Sequence, residues 1–283
     1  MFISPWIIGF LIFALGPMLY SIGLSFCKWD IFTPAEFVGL ANYKKLAADP
    51  LFVKSIGNTL FYTAFAVPLG ITGALGLSML LNQKIRGITI YRTIYYLPAV
   101  VSGVAVALLW RWIFNYEYGV LNAILGDVFG IVNPPEWLGS ELWSKPSLIL
   151  MSLWGIGGGM IIFLAGLQGI PEQLYEAAEI DGANVLERFR HITIPMLSPV
   201  IFFNLIMGII GSFQVFVQVY IMTSGGPSNS TLFYVLYLFN NGFQFFKMGY
   251  ASALAWVLFV IVLAVTVVQF KLAGRWVYYE GVK

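Results

Sequence analysis

Six apolar runs, near residues 4–26, 56–81, 92–114, 147–168, 196–222 and 250–270, alternate with polar connections along the chain. A bilayer hydrocarbon core about 30 Å thick needs about 20 apolar residues per helix, so each run is long enough to cross it. The pattern predicts an all-α, polytopic membrane protein: six transmembrane helices in a single domain over residues 1–283. The first run begins at Phe2 with neither a basic leader nor a small-residue cleavage site, which reads as a span and not a signal peptide. No charged residue lies between Arg190 and Lys247, so the turn signal Ser224-Gly-Gly-Pro-Ser-Asn-Ser230 is what divides that stretch. It leaves 231–246 as a short aromatic segment, expected to lie along the membrane surface.

Prolines interrupt the runs at Pro17, Pro68 and Pro98, and glycines gather at Gly70, Gly73 and Gly76 and again at Gly155, Gly157, Gly158 and Gly159. In membrane helices such residues free backbone groups, let helices approach closely, or open a cavity. Basic residues concentrate at Lys84, Arg86 and Arg92, at Arg188 and Arg190, and at Lys271, Arg275 and Lys283. With six spans these regions share one face, and the excess of Lys and Arg in short cytoplasmic loops predicts that both termini and the loop 169–195 are cytoplasmic.

The composition narrows the chemistry. Of 283 residues, 59% are hydrophobic and only 10% charged, too few charges to cover a globular surface. The net charge of +2 comes from scattered residues and gives no nucleic-acid patch. One cysteine, Cys27, excludes an internal disulfide, and one histidine, His191, cannot supply both a metal site and a base. No ionisable residue lies in the middle of any predicted span, whereas ion-coupled transporters place costly charges there. Any pumping by this chain therefore draws its energy from elsewhere. No lysine follows a glycine, so there is no phosphate-binding P-loop, and the Gly155–Gly159 run lies inside a hydrophobic span. No hydrolase elbow or paired-histidine motif occurs either, and no catalytic residue is expected.

One polar module stands between apolar runs. Pro171 suits a first helical position and Glu172 the first turn, so a helix is predicted from Pro171 to Ile180, stopped at Gly182. Glu172, Glu176 and Glu179 fall on one face, with Ala177 and Ala178 beside it. Asn184 and Glu187 have capping-box spacing, predicting a second short helix over Val185–His191 before Pro195 and Pro199 return the chain to the membrane. Leu174, Ala178, Ile180, Val185, Leu186 and Phe189 are expected to be exposed and to need a cover. On physical grounds a docking module and an ordinary interfacial loop remain equally open.

Glu176-Ala-Ala, then Gly182, then Ile192-Thr-Ile-Pro195 resembles the signature loop of the permease subunits of bacterial binding-protein-dependent ATP-binding cassette importers, with Ile194 where leucine is usual. Phe37-Val-Gly-Leu-Ala-Asn-Tyr43, Asp49-Pro50, Asn58-Thr59, Ser224-Gly-Gly-Pro227 and Gly249-Tyr-Ala-Ser-Ala253 extend the likeness to the carbohydrate-uptake branch, first-permease type, as in maltose and glycerol-phosphate permeases. The resemblance implies a type I importer transmembrane domain in the bacterial inner membrane. It implies a second related permease, two cytoplasmic ATPase subunits, an extracytoplasmic solute-binding protein and a sugar substrate as partners. No cofactor is expected on this chain, with ATP-Mg on the partner ATPase. The ATPase-coupling residues implied are Glu172, Glu176, Ala177, Ala178, Glu179, Asp181, Gly182, Ile192 and Pro195, with Glu176 pairing with a basic residue of the ATPase and Gly182 making the bend. For the substrate path the implied region contains Met151, Gly155 and Gly158 on one face of the fourth span and Gly208, Gly211, Ser212 and Val215 on one face of the fifth. Asn204, Gln214 and Gln218 add polar candidates. The alternatives are an importer for a non-sugar solute such as a phosphorylated polyol, a self-sufficient channel, and a scaffold that only recruits a soluble partner.

Overall fold

The structure is a computed structural model that describes residues 2–83 and 85–278. Lys84 and Lys283, counted above among the basic residues, lie outside the described residues. Along the chain run α1 (Ser4–Ser25), β1 (Cys27–Lys28), β2 (Glu36–Phe37), α2 (Ala41–Ala47), α3 (Pro50–Leu81), α4 (Ile88–Val100), α5 (Gly103–Ile113) and α6 (Val120–Asp127). There follow α7 (Ser144–Trp154), α8 (Gly157–Gln168), α9 (Glu172–Ile180), α10 (Val185–Phe213), α11 (Val217–Met222), α12 (Tyr234–Phe239) and α13 (Met248–Ala273). Four helices, α1, α3, α10 and α13, are long and apolar enough to cross a membrane alone; α4 with α5 and α7 with α8 are bent pairs that raise the number to six if each pair is one span.

The breaks have local causes. The third apolar run is not one straight helix: α4 and α5 meet at 96°, where Pro98 cannot donate a backbone bond and Val101 is extended at ψ 141°. The fourth bends by 48° at Gly155-Ile156. The fifth ends at Phe213, not near 222, and Phe216 at φ −137°, ψ −60° separates it from α11. Two prolines inside helices are absorbed differently. Immediately before Pro17 and Pro195, the N–H groups of Gly16 and Ile194 reach five residues back to the carbonyls of Leu11 and Phe189, forming single π turns. The second of these turns carries the loop helix straight into α10, so the predicted separate helix over Val185–His191 is the lower end of a 29-residue rod.

At 32 residues α3 is about 48 Å long, longer than a hydrocarbon core of about 30 Å, and its N-terminal turns lie on the face opposite the α9 loop. Asp49 caps it, accepting from the Leu51 N–H at 2.9 Å. α1 is the outlier: only 6% of its most apolar window is buried, and it packs chiefly on α13 through its C-terminal half.

Buried apolar side chains form two clusters. The outer one joins Phe52 and Tyr62 of α3, Phe114, Leu148, Val219, Leu232–Tyr234 and Leu254; the inner one joins Ala74, Leu75 and Leu81 of α3 with Met160, Phe163, Leu167, Ile170 and Leu197. The first half of the aromatic segment 231–246 packs inside the bundle, whereas Phe243 and Phe245 in its second half are exposed. Phe233, Tyr234 and Leu236 are each 1% exposed, because three aromatic or leucine faces meet α3 and α13 and the backbone finds partners there. The Tyr234 N–H donates to Thr59 Oγ1 at 3.0 Å and the Tyr234 hydroxyl donates to the Leu254 carbonyl at 2.8 Å.

Gly249 sets how closely α13 approaches the end of α1. A Cβ there would sit 1.9 Å from the Cys27 carbonyl oxygen and 3.2 Å from that of Leu24. Gly249→Ala is expected to cost about 3 kcal/mol, since overpacking against backbone cannot be relieved by a rotamer change. Thermal unfolding of the purified protein should show a drop of several degrees for Gly249→Ala and none for Gly23→Ala, whose Cβ would meet nothing within 4 Å. Equal melting of the two variants would remove Gly249 from this role.

Candidate coupling loop and translocation cavity

The loop between α8 and α10 is a tightly braced knob. Pro171 is its N-cap at ψ 129°, so the helix starts at Glu172, one residue later than expected. The C-terminus of α9 closes with paired bonds, Gly182 N–H to Glu179 O at 3.0 Å and Ala183 N–H to Ala178 O at 2.8 Å, and Gly182 takes φ +80°. The Asn184–Glu187 capping box is formed: the Glu187 N–H donates to Asn184 Oδ1 at 3.0 Å and the Asn184 N–H donates to Glu187 Oε2 at 2.7 Å. Two further bonds tie α9 to α10, an ion pair between Glu179 and Arg188 and a hydroxyl bond at 2.9 Å between Tyr175 and Thr193.

These bonds sort the candidate coupling residues. Glu179 is committed to Arg188 within the chain and so is not part of a free acidic face. Glu176 is exposed and has no hydrogen bond or ion pair among the described residues. Ala177, Asp181 and Gly182 are exposed and Ala178 is half-buried. Ile192 and Pro195 are half-buried, and Ile192 packs on the inner cluster, so both belong to the joint and not to the outer surface. The knob's tip is apolar: Ile180 is 88% exposed, Val185 73% and Leu186 71%. Phe189, expected among them, turns inward onto the inner cluster, as does Tyr175.

Between the two clusters lies a cavity of about 310 Å³. Tyr62, Ala66, Gly70 and Ala74 of α3, spaced by four, form one wall; Ser152, Gly155 and Gly159 of the α7–α8 bend form another; Asn204, Gly208, Gly211, Ser212 and Val215 of α10 and the segment after it form the third. Among the substrate-path candidates it therefore brings together Gly155, Asn204, Gly208, Gly211, Ser212 and Val215. Met151 is instead buried in the outer cluster, and Gly158 faces Ala99 of α4 because the bend at Gly155 rotates it away. Gln214 is exposed in the break after α10 and Gln218 sits on α11, since the helix that would have carried them ends at Phe213. The α3 wall was not anticipated, although a small-residue stripe at helical spacing was its available signal.

No charged side chain lines this cavity. Its polar groups are hydroxyls and an amide. Ser212 Oγ bonds Thr63 Oγ1 at 2.8 Å, and Asn204 donates to the Val200 carbonyl at 2.9 Å, which leaves its Oδ1 available as an acceptor. The glycines differ in role. A Cβ on Gly159 would lie 3.2 Å from Ala74 Cβ, and one on Gly208 3.1 Å from Val67 Cγ1, so these two set helix contact. A Cβ on Gly211 would meet nothing within 4 Å.

On the far side of the molecule from the loop, the quoted motifs converge. Asn58 donates to the carbonyls of Asn229 at 2.9 Å and Leu232 at 3.2 Å and accepts from Lys145 Nζ at 3.2 Å. Lys54 donates to the Ser228 carbonyl at 2.6 Å, and Ser144 bonds Ser230 at 2.9 Å. Asp49 accepts from the Tyr250 hydroxyl at 2.8 Å and from that of Tyr237. Burial alone would push the Asp49 carboxyl up, but the bonds from Tyr237, Tyr250 and the Leu51 N–H outweigh it and hold the carboxyl below its ordinary range. Asp49, Asn58-Thr59, the Ser224–Pro227 turn and Gly249-Tyr250 are thus one joint that fixes the outer cluster.

Comparison with known proteins agrees with this architecture. The chain is 46% identical over 284 residues to the probable ABC transporter permease protein YesP of Bacillus subtilis (strain 168), covering 99% of this chain and 91% of that protein. It is 35% identical over 280 residues to the arabinooligosaccharides transport system permease protein AraP of the same organism, covering 97% and 88%. Its fold matches a chain of the bacterial alginate ABC transporter crystallised in complex with an alginate pentasaccharide-bound periplasmic protein, with a TM-score of 0.85, 24% identity and coverage of 97% and 93%. Residues 66–277 match the family described as binding-protein-dependent transport system inner membrane component, and the chain belongs to that family.

Proposed function

We propose that this chain is a transmembrane permease subunit of an ATP-driven, binding-protein-dependent importer of sugars or oligosaccharides. The observation that carries the reading is the knob itself. An unpaired carboxylate, Glu176, stands beside an apolar tip of Ile180, Val185 and Leu186, and the whole knob is braced onto the inner cluster that forms the cavity's floor. A soluble partner that grips the knob can move the inner half of the bundle. The partner is two ATPase subunits on the cytoplasmic face, each carrying its own ATP-Mg, while this chain binds no cofactor and performs no chemistry. The loop and both termini are cytoplasmic, which puts the Asp49–Asn58 joint on the outer face where a solute-binding protein delivers substrate.

A sugar suits the cavity because its lining offers hydroxyl and amide partners and a tyrosine ring without a net charge. Relatives named for arabinooligosaccharide, lactose and trehalose/maltose transport support the same substrate class. The second permease completes the path and covers the exposed length of α1. The test is to purify the assembled complex and measure ATP hydrolysis with its binding protein against a panel of oligosaccharides. Stimulation of several-fold by one sugar class supports the reading. Stimulation only by a phosphorylated polyol would move the substrate, and solute flux through liposomes holding this chain alone, without ATP, would replace the importer by a channel.

A further inference from the structure

A second cavity, of about 500 Å³, opens on the face opposite the knob, between the β1–β2 pair and the segment entering α13. Trp29, Phe246 and Tyr250 contribute ring surface to it, and Asp30 and Glu36 with Lys28, Lys45 and Lys247 contribute charge. The function described above uses none of these side chains except Tyr250, whose hydroxyl is held by Asp49.

The charged groups are not spent on one another. Among the described residues no ion pair joins them. Asp30 receives the N–H and hydroxyl of Thr33 on a single oxygen, Oδ1, at 2.9 and 2.7 Å, which leaves Oδ2 available. The Glu36 carboxylate has no hydrogen bond among the described residues, and Lys45 and Lys247 lie 5.3 Å over the rings of Tyr250 and Phe245. The lips of the cavity are held in costly backbone. Ile31 at φ +76° and Phe246 at φ +54° are bulky residues in the left-handed region, and the lips meet where Phe32 packs edge-on to Phe246 at 5.4 Å.

The chemistry selects the ligand. Two carboxylates set among three lysines give a mixed field that favours no strongly charged guest of either sign, and the charged rim disfavours a purely apolar one. No group of three His, Cys, Asp or Glu side chains able to hold a metal occurs among the described residues. A ring that is apolar on its faces and hydroxylated around its edge satisfies both the aromatic walls and the polar groups of the rim, carboxylates and ammonium donors alike. We propose that this cavity is a second carbohydrate site, outside the transmembrane path, that holds a sugar ring of a longer oligosaccharide while another part of the chain enters the importer. The proposal rests on the reading of the protein as a sugar importer.

Two measurements test it with Trp29→Ala and the conservative, surface-exposed Glu36→Gln. In proteoliposomes holding the complete complex with its binding protein, the KM for uptake of the longest members of an oligosaccharide series should rise about fivefold or more, with kcat unchanged and the shortest member unaffected. An equal shift at every length would make the cavity a socket for the binding protein, and no shift at any length would show no sugar site; either overturns the proposal. In the complex without binding protein, saturation-transfer NMR with the same oligosaccharides should give a signal that Trp29→Ala removes. Absence of that signal in the unaltered complex overturns the second site even if import is normal. A signal lost in Trp29→Ala, in a complex whose ATPase no sugar stimulates, would sink the importer reading and leave the site standing.

Discussion

Glu176→Lys is expected to abolish the coupling of ATP hydrolysis to uptake while leaving the complex able to assemble. Glu176 is exposed and has no hydrogen bond or ion pair among the described residues, so its replacement disturbs nothing the structure shows within the permease. In the proposed coupling its carboxylate pairs with the ATPase that grips the knob. Reversing a charge that is paired across a desolvated interface costs about 2–5 kcal/mol, so substrate uptake in proteoliposomes should fall at least about 30-fold. Basal ATP hydrolysis should persist, but stimulation by loaded binding protein should be lost. Glu179 provides the internal comparison. It is 61% exposed and bound to Arg188, a pair of the surface kind worth about 0–1 kcal/mol, so Glu179→Gln should lower uptake by only a few-fold. If Glu176→Lys transported normally, the carboxylate would have no part in coupling.

The second large effect is expected inside the cavity. Gly211→Leu adds a side chain where a Cβ meets nothing within 4 Å and where the wall is open to the path, so it should reduce the usable space without disturbing the fold. Uptake should fall at least about tenfold while assembly and thermal stability stay within a degree or two of the unaltered protein. Gly208→Leu, one turn earlier, should behave differently. Its Cβ already approaches Val67 to 3.1 Å, so the larger side chain has to push α10 off α3 and lower the melting temperature. Normal uptake by Gly211→Leu would place the substrate route elsewhere.

The membrane character and the helical class were legible because hydrophobicity at the length of a bilayer is a strong local signal. The loop was legible for a related reason: its caps at Gly182 and Asn184 are local bonds between residues a few positions apart. What was not legible depended on contacts far apart in sequence. Glu179 looked like its neighbour Glu176 on a helical wheel, and the return of the chain at Arg188 distinguishes the two. The cavity wall on α3 was hidden because small residues at a spacing of four serve packing and open space alike, and only the distances across to α8 and α10 separate the two. The aromatic stretch 231–246 read as interfacial throughout because nothing local announced that Asn58 and Thr59 would come to receive its first half. The bend at Gly155 turns Gly158 toward Ala99, and the end of α10 at Phe213 takes Gln214 and Gln218 off that helix, breaks that helical spacing alone does not show.

The sparse packing of α1 bears on how the cell maintains this subunit. With only 6% of its most apolar window buried within the chain, the helix has most of its length available to lipid or to the second permease of the proposed complex. A copy synthesised in excess of that neighbour would present a loosely held span to membrane proteases, so its lifetime should depend on the abundance of the other permease, and the amounts of the two chains would be matched by turnover.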